Sequence, residues 1–138
     1  FLLLIEFSKG NKMALENILI LSFLLAIIQL TIPMLIDLLT GNTNLKYFLS
    51  SRDTSSNPSI HAQRANRASR NLLETLPIFI GITILSIIRE VDTSSVALLW
   101  LILRTIYVPI YVLGINYLRT GIWAASLICL ILMGLKFI

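Results

Sequence analysis

The sequence predicts an all-α integral membrane protein, a bundle of four transmembrane helices. Three observations lead there. The chain is strongly apolar, with 57% of its 138 residues hydrophobic and a mean hydropathy of +0.87. Charged residues make up only 13%, about half of the ~25% usual in a soluble domain. The apolar residues also fall into four runs, each near the ~20 residues that cross the hydrocarbon core. Polar segments separate the runs.

The same numbers exclude other classes. The length suits one domain. The net charge of +4 is no sign of a nucleic-acid partner, because the arginines are not gathered on a soluble surface among aromatic stacking platforms. The lone cysteine, Cys129, lies in an apolar run and has no intrachain partner. It reads as a core or lipid-facing residue, and no Cys/His set suggests a metal. The chain carries no phosphate-binding glycine loop and no Ser-His-Asp set.

Residues 1–12 read as an upstream extension or a fragment start. The chain opens on Phe1, the run Phe1–Phe7 is too short to span, and Met13 is a natural start that leads directly into a membrane anchor. The membrane domain is therefore expected over 13–138. Its first span is Ile18–Leu39, with Gln29 and Thr31 in the middle and Pro33 as a kink site. Gln29 suits an interhelical hydrogen bond. A loop follows over Thr40–Ile60, marked by Gly41-Asn42, Ser50-Ser51 and Ser55-Ser56-Asn57-Pro58. It exceeds the ~12–15 residues usual in compact domains, and long loops are often functional. Leu45–Leu49 either extends the first helix or lies at the interface.

The second helix starts near Pro58 or Ser59 and ends near Ile88, with Leu72–Ile88 in the bilayer and Gly81 as a candidate close-packing point. Arg89-Glu90-Val91-Asp92 is a short polar turn. The third span covers Ser94 to about Leu113. A second loop, Gly114–Gly121, holds Asn116, Tyr117 and Arg119, and the last span runs Ile122–Ile138 with Trp123 as an interface anchor. Four spans put both termini on one side. The opposite side carries Lys46, Arg52, Arg64, Arg67, Arg70 and Arg119, against Lys9, Lys12, Arg89 and Lys136. The positive-inside rule therefore places the long loop in the cytoplasm.

The chemistry concentrates in His61–Ile80. On a helix, Arg64, Arg67, Asn71, Glu74 and Ile78 fall within about 80° of one another, while Arg70 points to another sector. One face thus carries two cations, an amide and a carboxylate. Inside a bilayer such groups are costly and usually face a bundle interior, a partner or a wet cavity. Two readings stand. Glu74 pairs with Arg67 or Arg70 and the stripe glues helices together, or the stripe binds a small anionic or zwitterionic ligand. Arginine forks suit carboxylates, a glutamate suits an ammonium, and an asparagine bonds either way. In the third span Arg104 lies mid-bilayer and shares a face with Tyr107 and Tyr111. It demands a partner, and Glu74 is the expected one. His61 reads as a solvated residue at the start of the second helix.

The pattern Arg64-x-x-Arg67-Ala68-x-x-Asn71-x-x-Glu74-x-x-Pro77-x-Phe79 resembles the second-helix signature of the MAPEG family, the membrane-associated proteins of eicosanoid and glutathione metabolism. Arg104-x-x-Tyr107-x-x-x-Tyr111 resembles the family's third helix. The likeness covers essentially Met13 to the end. Arg52-Asp53, Leu73-Glu74-Thr75-Leu76-Pro77 and Tyr107-Val108-Pro109-Ile110-Tyr111 look most like its small bacterial members. The resemblance implies a homotrimer in a bacterial inner membrane, with glutathione bound between subunits.

In the family, positions matching Arg67, Asn71, Glu74 and Tyr107 contact glutathione. The candidate binding set here adds Arg64 and Arg104, whose guanidinium groups suit carboxylates, and Tyr111, which shares a helix face with Arg104 and Tyr107. A loop arginine before the fourth helix favours the thiolate, and Arg119 is the nearest candidate. Arg119 and Tyr107 are thus the expected catalytic pair. The sequence departs from the pattern in places. Gln63 and Thr75 stand where some members have glutamate and an aromatic, and Arg119 lies one residue further from Tyr111. Asp37 stands near the first-helix end where leukotriene synthases have an arginine pair, which argues against eicosanoid synthesis.

The function this implies is a glutathione-dependent transferase or peroxidase acting on lipophilic electrophiles, with glutathione as co-substrate and the bilayer delivering the second substrate. Two other readings of the same stripe remain: a non-enzymatic membrane scaffold, and a protein that binds lipid or small anions.

Overall fold

A computed structural model describes residues 13–51 and 57–138. The proposed extension at 1–12 and the Arg52-Asp53 pair lie outside the described residues. Among those described, four long helices are each apolar and long enough to cross a membrane: α1 (Leu15–Leu39), α3 (Ile60–Ile88), α4 (Ser94–Leu113) and α5 (Asn116–Leu135). The short α2 (Leu45–Leu49) is separate from α1, and the Asn44 side chain caps it by accepting from the Tyr47 amide at 2.9 Å.

The helices run alternately up and down. At one end, the Asp37 carboxylate near the close of α1 accepts from the Ser59 amide at the start of α3 (2.9 Å). Arg64, one turn into α3, donates to the carbonyl of Val112 at the end of α4 (3.3 Å). At the other end, the Lys136 ammonium after α5 donates to the carbonyl of Asp92 just before α4. The long connection and the α4–α5 turn therefore share one end, and the 89–93 turn shares the other with residues 13 and 138.

Small residues decide which faces close. On α3 the buried side is Ala62, Ala65, Ala68, Ser69, Leu72, Thr75, Leu76, Phe79, Thr83 and Ser86, spaced by three and four. In lipid, small side chains let helix backbones approach, and dispersion contacts replace the missing hydrophobic drive. Several buried hydroxyls bond to their own helix: Ser22 to Leu19, Ser86 to Ile82 and Ser126 to Trp123, at 2.7–2.8 Å. The bulky layer lies mid-bundle, where the Phe79 and Trp100 rings stack with centroids 3.9 Å apart and planes 8° from parallel. Much of the outer surface is Ile and Leu, such as Ile20, Ile27, Ile131 and Leu132.

Several boundaries differ from expectation. The last helix begins at Asn116, so the α4–α5 connection is only Gly114 and Ile115, and Arg119 is helical rather than in a loop. A Schellman-type end makes this sharp turn: Gly114 adopts φ 80° and ψ 30°, its amide bonds Tyr111 O (3.1 Å), and the Ile115 amide bonds Ile110 O (3.2 Å). Gly81 has nothing within 4 Å of where a Cβ would sit, so it makes no close approach within the protomer. The buried Gln29 has no partner on Oε1 among the described residues, so that oxygen does not make the expected interhelical bond.

Gly114 is favoured by its left-handed backbone, which disfavours a side chain; a Cβ there would also lie 2.6 Å from Arg64 Nη1 and displace that guanidinium. Gly114→Ala should lower stability by about 1–2 kcal/mol from the backbone alone. Thermal unfolding in detergent reads this, and an unchanged midpoint would show that the turn is not fixed by its glycine.

Candidate functional site

Arg104 is the most buried charge of the bundle, 1% exposed. Its position follows from α4's inner stripe of Ser94, Ala97, Trp100, Leu101, Arg104 and Tyr107. Arg104 Nη1 donates to Asn71 Oδ1 (2.6 Å) and Nη2 donates to Thr75 Oγ1 (2.7 Å). The Thr75 hydroxyl passes its own proton to the Leu72 carbonyl (3.1 Å). The Trp100 and Tyr107 rings each lie 5.7 Å from the guanidinium carbon, within reach of cation–π attraction. Among the described residues, only Nε of this guanidinium has no partner.

This corrects the expected Arg104–Glu74 pair. Glu74 is exposed on the outer side of α3, as are Arg67 and Arg70, and no ion pair among the described residues engages them. The reason is angular. The Ala/Ser side of α3 takes the interior, which leaves the stripe from Arg64 to Ile78 along its edge. Only Asn71 and Thr75, nearer the inner face, reach Arg104. Arg64 is half-buried and turned to the end of α4, where its Nη1 and the His61 Nδ1 both contact the Val112 carbonyl, at 3.3 and 3.1 Å. That carbonyl is one of the four a helix end leaves without internal partners.

A second group of residues converges on one cleft of about 220 Å³, lined by Asn71, Tyr107, Tyr111, Arg119, Thr120 and Trp123. Tyr107 is buried, and its ring meets that of Tyr111 edge-on at 5.4 Å. The Arg119 guanidinium sits 4.9 Å from the Tyr111 ring centre. Of the residues proposed from sequence, the fold thus brings Asn71, Tyr107, Tyr111 and Arg119 together and puts Arg104 directly behind Asn71. Arg67 and Glu74 stay outside the cleft, and Arg64 is turned toward the α4 terminus. Thr75, Thr120 and Trp123 were not singled out as site residues. The signal for Trp123 was its i+4 spacing from Arg119, which becomes meaningful once both lie on α5.

The MAPEG family model matches residues 14–138, nearly the whole chain. The chain belongs to the MAPEG family. No curated protein and no solved structure gives a significant match. As a MAPEG protein it is a multi-pass integral membrane protein, and its four spans agree with that. Its second-helix motif therefore divides into two parts: Asn71 and Thr75 hold a buried cation, and Arg67 and Glu74 are presented outward.

Thr75 has a role the family comparison alone would not give it. Thr75→Val keeps the shape and removes the acceptor for Arg104 Nη2. Leaving a buried donor unpaired costs about 1–3 kcal/mol. The melting temperature in detergent should fall accordingly, and a midpoint equal to the parent's would show that this bond contributes nothing.

Proposed function

We propose that this MAPEG protein is a glutathione-dependent transferase or peroxidase acting on lipophilic electrophiles, working as a homotrimer with the long loop on the cytoplasmic side. The observation that carries the reading is the convergence of Asn71, Tyr107, Tyr111 and Arg119 on one polar cleft of a lipid-embedded bundle. The family match supports the glutathione chemistry.

The cleft supplies what thiol activation needs. Arg119 is a fixed cation beside two phenol groups. A neighbouring cation lowers a thiol pKa and raises the thiolate fraction. Tyr107 can donate a hydrogen bond to the sulfur. The thiolate then attacks an electrophilic carbon and displaces its leaving group, or attacks the terminal oxygen of a hydroperoxide, breaking the O–O bond to leave the sulfenic acid of glutathione and an alkoxide that takes a proton to become the alcohol. In the second case the thiol of a second glutathione attacks the sulfenic sulfur, releasing water and closing the disulfide. The electrophile arrives from the acyl chains, since the helices are apolar on their outer faces.

Size and charge support a site shared with a second copy of the chain, and the family resemblance makes the assembly a trimer. Pockets for drug-sized ligands usually hold about 300–1,000 Å³, so a 220 Å³ cleft takes only part of a tripeptide. The rest would lie along the outer edge of α3, where Glu74 suits the ammonium and Arg67 a carboxylate. Charges exposed on a membrane helix call for a cover, and a second copy of the chain provides it.

Arg119→Ala should cost only about 0.5–1 kcal/mol of stability, the scale of its cation–π contact with Tyr111, yet raise the bound thiol's pKa. The pH profile of conjugation to a reactive aryl halide should then move to higher pH, and each pKa unit is worth about 1.4 kcal/mol, or tenfold in thiolate below the pKa. Thiolate absorbance on adding protein to glutathione gives a direct reading. No thiolate signal from the parent would remove the mechanism, and an unshifted profile in Arg119→Ala would remove Arg119 from it. Light scattering in mild detergent should give three chains per particle; two would overturn the trimer, and one would rule out the shared site.

A further inference from the structure

We infer that Arg104 is a positioning residue: it fixes the Asn71 amide with its NH2 toward the cleft, so that the cleft recognises a hydrogen-bond acceptor and not the ligand's ammonium. The identity of the ligand as glutathione rests on the function proposed above. The orientation rests on geometry.

A guanidinium has five N–H donors and no acceptor. The Asn71 atom 2.6 Å from Arg104 Nη1 is therefore held as the carbonyl oxygen. Turning the amide over would set N–H against N–H in a buried place, and burying an unpaired donor is unfavourable. The Thr75 bond at 2.7 Å holds the other arm of the same fork, so the guanidinium cannot swing to follow a flipped amide. Asn71 also lines the cleft. With its oxygen turned to Arg104, the NH2 is the end of the amide left for a ligand in the cleft.

The other lining groups agree. Arg119 can only donate. The Tyr107 and Tyr111 hydroxyls turn either way and follow the ligand. Thr120 gives its proton to the Asn116 carbonyl (3.2 Å), leaving a neutral oxygen. Among the described residues lining the cleft there is no carboxylate. A carboxylate or peptide carbonyl of glutathione therefore enters beside the thiol, while the ammonium stays outside, on the side where Glu74 is exposed.

Asn71→Asp tests this directly. It keeps the shape and an oxygen for Arg104, so the protein should fold and melt at least as well as the parent. It removes the N–H donors, so glutathione binding measured by calorimetry in detergent should weaken by about tenfold or more. A second pair of variants probes Arg104 through its chemistry. Arg104→Lys keeps a donor-only group against the Asn71 oxygen, whereas Arg104→Gln lets the amide turn over. Glutathione affinity should be higher in the lysine variant, each checked by melting to be folded.

Asn71→Asp binding as tightly as the parent would overturn the inference. So would equal affinities in folded Arg104→Lys and Arg104→Gln. If those two variants do not fold, Asn71→Asp alone decides. A parent with no saturable glutathione binding is a different failure, since it removes the proposed function and this inference with it.

Discussion

The rest of the bundle is arranged around the need to keep one guanidinium charged inside a membrane. An arginine at the centre of a spanning helix costs about 2.5–3.5 kcal/mol on insertion scales. Among the described residues, Arg104 offsets that without a direct ion pair. It uses two short hydrogen bonds to neutral oxygens and two aromatic rings within 5.7 Å. Hydrogen bonds to a charged group contribute roughly 1.5–3 kcal/mol each, which is enough to close the balance. Asn71 and Thr75 are four residues apart on α3, so the fork engages one face of one helix. This sets the register of α4 against α3, and one layer along the same two helices interlock again through the Phe79–Trp100 stack.

A neutral solution for Arg104 leaves Glu74 free to be used elsewhere. Had the carboxylate been drawn inward, it would have neutralised the arginine, and neither charge would have been presented to anything outside the protomer. Instead the interior is settled by amide, hydroxyl and π-face, and the carboxylate and Arg67 remain at the perimeter. The same economy appears at Arg64, whose guanidinium fills the space over Gly114 and serves the last carbonyls of α4. Three arginines of similar sequence context thus do three different jobs, decided by the angle each makes with the Ala/Ser face of α3 and the inner stripe of α4.

The sequence made the four spans and their alternation legible, because hydropathy and helical spacing act locally; of the cleft's lining it offered Asn71, Tyr107, Tyr111 and Arg119 but not Thr120 or Trp123. Asn71, Tyr107 and Tyr111 could be placed on defined helix faces from spacing alone. Which face of α3 turns inward could not be read the same way. Arg64, Asn71 and Glu74 share a sector, but the inward direction is set by how closely Ala62, Ala65 and Ala68 let the neighbouring helices approach, a property of packing. The choice of Thr75 over Glu74 as Arg104's partner follows from that rotation. The α5 boundary was misplaced for a different reason. Asn116, Tyr117, Arg119, Thr120 and Gly121 are polar or weak helix formers, and a membrane helix extends past its apolar core where it meets water.

The two-residue turn at Gly114 and Ile115 has a consequence for how the family's sequences can vary. Arg119 lies one turn into α5, so its direction is phase-locked to the Tyr111 ring through a connection with no slack. Adding or deleting one residue before it rotates the side chain by about 100°, unless the helix start shifts to compensate. The long connection between α1 and α3 has no such constraint, because a loop gains length at little entropic cost. Length changes in this fold should therefore collect in the first connection. Where one does fall between Tyr111 and Arg119, it must be matched by a new first turn of α5, and here the guanidinium still reaches the ring at 4.9 Å.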